Sequence, residues 1–571
     1  LSAPAASATT ASVTPELFPG QLIRSTSRAL VLCALTLFVV AGLSFRVYKL
    51  GAESLSEDEL NKVRAVAEYR ERGLTPANGE HPFLMKALMS VSIIAAERWN
   101  AASFTSHNPQ LQISTETAAR LPGALLGALT ALLIYLVTTE LFGAEVGLIA
   151  AALWAFDPAA IGFNRIAKED SFLLFFFLLA NVFWLRGQRV AEEGRRKPEP
   201  FYWATAAAFG AMMASKYVPH FIAISGAYYW AFQGVKSTRW RMGKRKWLVF
   251  FAVMGLAFVI CNPTILLPGT WHEMRIFAGE QRIGHDSYEF LGQLYRNQMT
   301  LWLQGSPWYF YYVFMGVKLT VPVLVCFLVG LPQLFRRRLG DGRYFLLFWL
   351  FFWFFPFTFM GGKFTRYFTF ALPAVLMTSA LGVQLLARLF ARLLSRMPNF
   401  GDAAYAYARA CFVVFILAFS LYGSASAAPH YRLYTNLLGG GTARAGSYFP
   451  HDEFYDASTR EVADRVARLA PKDARVASET PELIAYYARL AGRTDLRFIS
   501  LSDRAALREF EAGDVVIVAR GRRYLSNDEL TSRLEAASKP SATVSLGGVE
   551  SARVYVLDDA SHAAVSEVVN R

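Results

Sequence analysis

The sequence predicts a polytopic α-helical membrane protein of about eleven spans with a small α/β domain at its C-terminal end. Three observations predict it. Apolar runs long enough to cross a bilayer recur between residues 29 and 426. Short Lys/Arg clusters lie between those runs. After about residue 450 the runs give way to short strands alternating with amphipathic helices. Of 571 residues, 54% are hydrophobic and only 18% charged. A soluble domain carries about 25% charge, so an ordinary soluble protein is excluded. The net charge of +14 does not point to nucleic acid, because the basic residues sit in short inter-span clusters, the pattern of cytoplasmic loops.

Residues 1–28, rich in Ala, Ser, Thr and Pro, are expected to form a disordered cytoplasmic tail with no cleavable signal. Residues 29–426 are expected to form the membrane domain, with spans at 29–48, 118–139, 144–161, 168–186, 201–215, 217–234, 247–267, 308–334, 343–360, 366–390 and 407–426. Threaded through these spans, the basic clusters at 186–197, 236–246, 336–343 and 388–396 all fall on one side. That side is the cytoplasm. The N-terminus is therefore expected in the cytoplasm of an inner (plasma) membrane protein. The loops 51–117, 268–307 and 361–366, and everything from 427 to 571, are expected on the extracytoplasmic face.

Loop 51–117 is long, and "HPFLMKALMSVSIIAAERW" within it suits an interfacial helix. In 427–571, "ARVAS", "LRFISL", "DVVIVAR" and "ARVYVLD" read as buried strands. This region carries no Gly-rich phosphate loop, no nucleophile elbow and no catalytic signature. Cys33, Cys261, Cys326 and Cys411 lie in or beside apolar runs without metal spacing and read as inert thiols.

Ionisable groups next to membrane spans are costly to bury and mark function. Five places stand out, all threaded to the extracytoplasmic side. The pair Asp58-Glu59 reads locally as a helix start, since carboxylates favour helix N-termini, or as a general base. "GEHPFLMK" contributes His81 and Lys86 beside an ordinary Pro-led helix start. "RIAKED" contributes Arg165 and Asp170, which a five-residue offset keeps off a common helix face. Lys216 and the pair Lys363 and Arg366 place cations outside, against the usual charge bias. Together, four cationic places and an acidic pair suit an anionic phosphate leaving group and a general base.

The order of these motifs resembles the polyprenyl-phosphate-sugar transferases of the GT-C fold. The likeness is greatest to the protein O-mannosyltransferase family and its bacterial relatives; lipid A aminoarabinose transferases look like more distant kin. Asp58-Glu59 stands where that family's acidic pair opens the first outer loop. "HPFLMK" (81–86) stands at its His-Pro-Pro motif, with Phe83 replacing the second Pro, and "RIAKED" (165–170) at its Arg-x4-Asp motif.

The resemblance implies an inverting, mannosyltransferase-like enzyme acting on a polyprenyl-phosphate sugar and a protein, lipid or glycan hydroxyl. In that reading Asp58 is the base and Glu59 its support. Arg165, Lys216, Lys363 and Arg366 bind donor phosphate or sugar. His81, Lys86 and Asp170 orient the acceptor or sugar. No metal set is read from the sequence; a divalent cation stays open, because related enzymes differ in metal need. Two other classes use the same features: a transferase-like structural or lipid-binding subunit of a membrane complex, and an anionic-lipid transporter. The spans are nearly free of charge on the cytoplasmic half, which favours a one-sided site over a transport path.

Overall fold

The computed structural model describes residues 28–194, 196–234, 242–279, 285–299, 301–398 and 400–570. The tail expected at 1–28 lies outside the described residues except for Arg28, which opens the first helix, α1 (Arg28–Val47). At 1.5 Å per residue, its 20 residues reach across the apolar thickness of a bilayer. Five further apolar segments are long enough to cross: Pro109–Phe142, Glu169–Glu193, Gly342–Phe359, Leu372–Leu394 and Asp402–Ala427. A bent pair, Ala144–Phe156 and Pro158–Asn164, makes a seventh, broken by 61°. The break has a local cause. Asp157 Oδ1 accepts from the Ala160 amide at 2.8 Å, and Pro158 occupies the first helical position, so a new helix starts there.

Several expected spans are interrupted in the same way. The stretch read as one span at 308–334 is two helices, Phe310–Lys318 and Val321–Gly330, parted before Pro322. The stretch at 217–234 opens on a single tight turn at Pro219 and becomes regular only over Ile222–Tyr228. Glycines allow two of the helices to touch backbone to backbone. A Cβ on Gly330 would lie 2.0 Å from the Thr378 carbonyl, and one on Gly382 would lie 1.9 Å from that of Cys326. This is how small residues bring apolar helices together where water supplies no driving force.

Loop 51–117 is helical. α2 (Glu57–Arg72) follows the loop after α1, and α3 (Phe83–Ala101) takes the apolar stretch read as interfacial. α2 is fixed at its start by a capping box: Ser56 Oγ accepts from the Glu59 amide, and Glu59 Oε2 accepts from the Ser56 amide at 2.8 Å. Arg120, from the helix Thr115–Phe142, grips the same carboxylate from two sides, Nε to Oε1 at 2.8 Å and Nη2 to Oε2 at 2.7 Å. It also donates to the Leu50, Glu53 and Ser54 carbonyls.

The chain after Ala427 turns back onto this loop. His430 Nδ1 lies 3.1 Å from Glu53 Oε1, and Arg432 Nη2 donates to Glu53 Oε2 at 2.7 Å. Beyond it lies a mixed five-stranded sheet. β1 (Ser287–Phe290) and β2 (Gln293–Arg296) form a separate hairpin. The sheet comprises β3 (Arg475–Ser478), β4 (Arg497–Ser500), β5 (Val515–Ala519), β6 (Ala542–Leu546) and β7 (Val549–Val556), in the order β4-β3-β5-β7-β6. β3, β4, β5 and β7 coincide with the four runs read as strands. β3 pairs with β4 and β5 in parallel; β7 pairs with β5 and β6 antiparallel. Along β5 the side chains alternate: Val515 and Ile517 pack under one helical layer, and Val516 under the other. The sheet domain docks on α2 through Leu55, Leu60, Leu483 and Tyr487, and the Tyr487 hydroxyl accepts from the Leu55 amide at 2.7 Å.

Removing one partner of a buried ion pair strands the other charge, at about 3–5 kcal/mol. Arg120→Leu is therefore expected to lower the thermal midpoint of the detergent-solubilised protein clearly. Arg64→Ala, which breaks the exposed pair with Glu482, is expected to shift it by less than about 1 kcal/mol equivalent. Equal shifts in the two melts would refute the role given to Arg120.

Candidate active site

The first turn of α2 holds Glu57, Asp58 and Glu59. Successive helical residues point about 100° apart, so these carboxylates diverge and each meets a different part of the molecule. Glu59 turns inward to Arg120 and is fully buried; its Oε1 also accepts from the Ala167 amide at 2.7 Å. Asp58 turns into a cavity of about 410 Å3, with 37% of its side chain exposed there. Glu57 faces the sheet domain, where Arg522 Nη1 donates to its Oε2 at 3.1 Å and His285 Nε2 lies 3.6 Å away.

Around Asp58 the charges are dense. Lys168, just ahead of the helix Glu169–Glu193, is ion-paired with Asp58 Oδ2, and the Tyr455 hydroxyl donates to the same oxygen at 2.9 Å. Although the carboxylate opens to the cavity, protein encloses the cavity on most sides, and burial alone would raise its pKa. The charges of Lys168, Lys62 and Arg366 outweigh burial and hold the Asp58 carboxyl well below the usual range. Lys62 Nζ lies 3.1 Å from Glu169 Oε1 in a fully buried pair. Lys216 Nζ donates to Asp170 Oδ1 at 2.6 Å and stands 4.9 Å from the centre of the Tyr367 ring. Asp170 Oδ2 is buried and has no hydrogen-bond partner among the described residues. Arg366 stacks on Phe364 at 4.0 Å and lies 3.4 Å from Asp452 Oδ1. His81 Nδ1 is 3.6 Å from Glu169 Oε1; burial pushes its ring down to about 3, so it is neutral at physiological pH.

The cavity thus gathers Asp58, His81, Asp170, Lys216 and Arg366 from the residues singled out in the sequence. It does not gather the other four, and each has a structural occupation. Glu59 positions α2, as described. Arg165 donates to the carbonyls of Phe45, Arg46, Tyr48 and Lys49, satisfying the C-terminal end of α1 instead of facing a phosphate. Lys363 donates to the carbonyls of Met360 and, at 2.8 Å, Ser306, holding its own loop. Lys86 reaches back to the carbonyls of Ala77, Asn78 and His81 and pins the turn ahead of α3; burial lowers it to about 7.

Residues that the sequence reading did not select take the empty places. Lys168 lies inside "RIAKED" itself. The turn at 165–168 sends Arg165 to α1 and Lys168 to the cavity. Tyr455, His451, Arg522 and Tyr524 come from the chain beyond the last long apolar helix, which had shown no catalytic signature. Among the described residues no three His, Cys, Asp or Glu side chains converge as metal ligands.

A family model described as dolichyl-phosphate-mannose-protein mannosyltransferase matches residues 104–267. No curated protein matches the chain. Among solved structures, ArnT from Cupriavidus metallidurans in the apo state is 15% identical, over 92% of this chain and 98% of that one, with a TM-score of 0.49. The same protein bound to undecaprenyl phosphate is 15% identical over 91% and 97%, with a TM-score of 0.47. The apo oligosaccharyltransferase of Archaeoglobus fulgidus is 12% identical over 86% and 70%, with a TM-score of 0.50. At such identities the likeness is one of fold. The chain has the GT-C membrane fold and resembles the protein O-mannosyltransferase family.

Proposed function

We propose that this protein is an inverting glycosyltransferase that moves one sugar from a polyprenyl phosphate to an acceptor hydroxyl. One observation carries the reading: a cavity-exposed carboxylate, Asp58, shares its cavity with cations that include Lys168, Lys216 and Arg366. The acceptor O–H gives its proton to Asp58 as its oxygen bonds to the anomeric carbon. The bond from that carbon to the phosphate oxygen breaks, and its electron pair leaves with the polyprenyl phosphate. Developing charge on that oxygen is met by the fixed cations. Tyr455 holds one Asp58 oxygen and so sets the direction of the other. In the resting protein Lys168 occupies Asp58; a bound phosphate offers Lys168 a second anion and frees the base.

The family model names a mannosyl phosphate lipid, and one fold relative holds undecaprenyl phosphate. The family description supports a polyprenyl donor and a mannose-like sugar. The basic loops support an extracytoplasmic site, with a protein Ser/Thr, lipid or glycan hydroxyl as acceptor.

A general base contributes about 10²–10⁴-fold. Asp58→Asn in purified protein is expected to cost transfer by at least that much while polyprenyl-phosphate binding persists; full turnover would refute the base. Arg366→Gln removes a charge-assisted contact worth about 1.5–3 kcal/mol, so kcat/KM for the donor should fall roughly ten- to hundredfold. The pH profile gives a third check. A depressed Asp58 pKa keeps the base ionised through neutrality, so the acid limb of the rate should lie below the ordinary carboxylate value of about 4. Lys168→Met removes the strongest lowering charge and should move that limb upward. An unmoved limb would mean that another group titrates.

A further inference from the structure

The sheet domain holds a second cavity, of about 370 Å3, which neither the base nor the cations near Asp58 use. Its place follows from the strand order. β3 lies between β4 and β5; the chain leaves it for β4 on one side, then crosses back to β5 on the other. Open α/β sheets bind ligands outside the carboxyl ends of strands at such a reversal. Here Glu479 follows β3, Arg520 follows β5, and both line the cavity. Arg522 lines this cavity and the Asp58 cavity alike, and it also contacts Glu57, the neighbour of Asp58 in α2.

The lining is polar but internally neutralised. Arg553 pairs with Glu535 at 3.0 Å and Glu550 at 2.7 Å. Arg523 pairs with Asp528 and lies 3.8 Å from Glu289. Arg522 is held by Asp456 and Glu57, and Arg520 Nη2 donates to the Gly446 carbonyl at 2.8 Å. Glu479 accepts from Asn527 Nδ2 at 2.6 Å and from the Ser502 hydroxyl at 3.0 Å, and burial raises its pKa. The four arginines and four glutamates of the lining balance, so the crevice offers no net charge to an anionic or a cationic ligand. Paired carboxylates and guanidiniums instead present acceptors and donors side by side, over an apolar floor of Leu501, Ile517 and Ala552. That combination suits hydroxyls on one edge of a ligand and a C–H face on another.

We propose that this crevice binds an uncharged, hydroxyl-rich glycan, and that the glycan is the acceptor presented past Arg522 to Asp58. The proposal rests on the transferase reading above and gives it an acceptor class. The test is binding, which needs no turnover. Full-length protein in nanodiscs is screened against neutral oligosaccharides of two to six hexoses, uronic-acid oligosaccharides and Ser/Thr-rich peptides. Saturable binding of a neutral oligosaccharide is expected. It should weaken at least tenfold in Ser532→Trp, whose exposed site on the helix Asp528–Ala537 fills the crevice. A similar loss is expected in Glu535→Gln, with melting curves as the check on folding. Binding of only charged glycans or peptides, binding of none, or neutral binding unaffected by both substitutions overturns the proposal. Because Asp58→Asn tests the base independently, an acceptor failure and a transferase failure are distinguishable.

Discussion

The buried ion pairs around α2 are the constraint on which the site depends. Arg120–Glu59 and Lys62–Glu169 lie wholly out of water, and Lys168–Asp58 sits at their edge. Each buried charge is tolerable only with its partner and further hydrogen bonds in place. Glu59 is the hub: it takes Arg120, the Ser56 amide and the Ala167 amide. The last bond ties α2 to the turn that delivers Lys168. The distance between base and cation is thus set by a carboxylate that does not touch the cavity.

The same logic explains why cations next to the membrane spans divide into two kinds. Arg165, Lys86 and Lys363 satisfy backbone carbonyls at helix ends and tight turns, where four acceptors per helix need donors. Lys168, Lys216 and Arg366 pair with carboxylates or stack on aromatic rings that line the cavity. Both kinds look alike as isolated basic residues near apolar runs. What separates them is the number of carbonyls within reach, which depends on how the chain turns after each helix.

Membrane helices and sheet domain build one site together. Tyr455, His451 and Arg522 lie hundreds of residues from Asp58 and reach its cavity because the chain after Ala427 folds back onto the loop that α1 opens, held by Glu53 between His430 and Arg432. The sheet domain is therefore a wall of the Asp58 cavity as well as an appendage.

The apolar runs, the helix α3, four of the five sheet strands and the grouping of Asp58, His81, Asp170, Lys216 and Arg366 were legible in the sequence. They depend on local terms: apolar length, periodicity, and the rarity of charge beside a span. β6 was missed because its alternation in "SATVSL" is mostly polar, although the Gly547-Gly548 pair that turns it into β7, both at positive φ, is a hairpin signal. Broken spans were missed because Pro158, Pro219 and Pro322 interrupt runs in which the few polar residues leave the average hydropathy high. The fate of each charge was decided only by tertiary structure. Three neighbouring carboxylates in the first turn of α2 meet three different surroundings: Glu57 the sheet domain, Asp58 the cavity and Glu59 Arg120. The energy of a buried charge depends on which opposite charge lies within about 3 Å of it, and those partners come from sequence-distant helices and from the returning C-terminal chain.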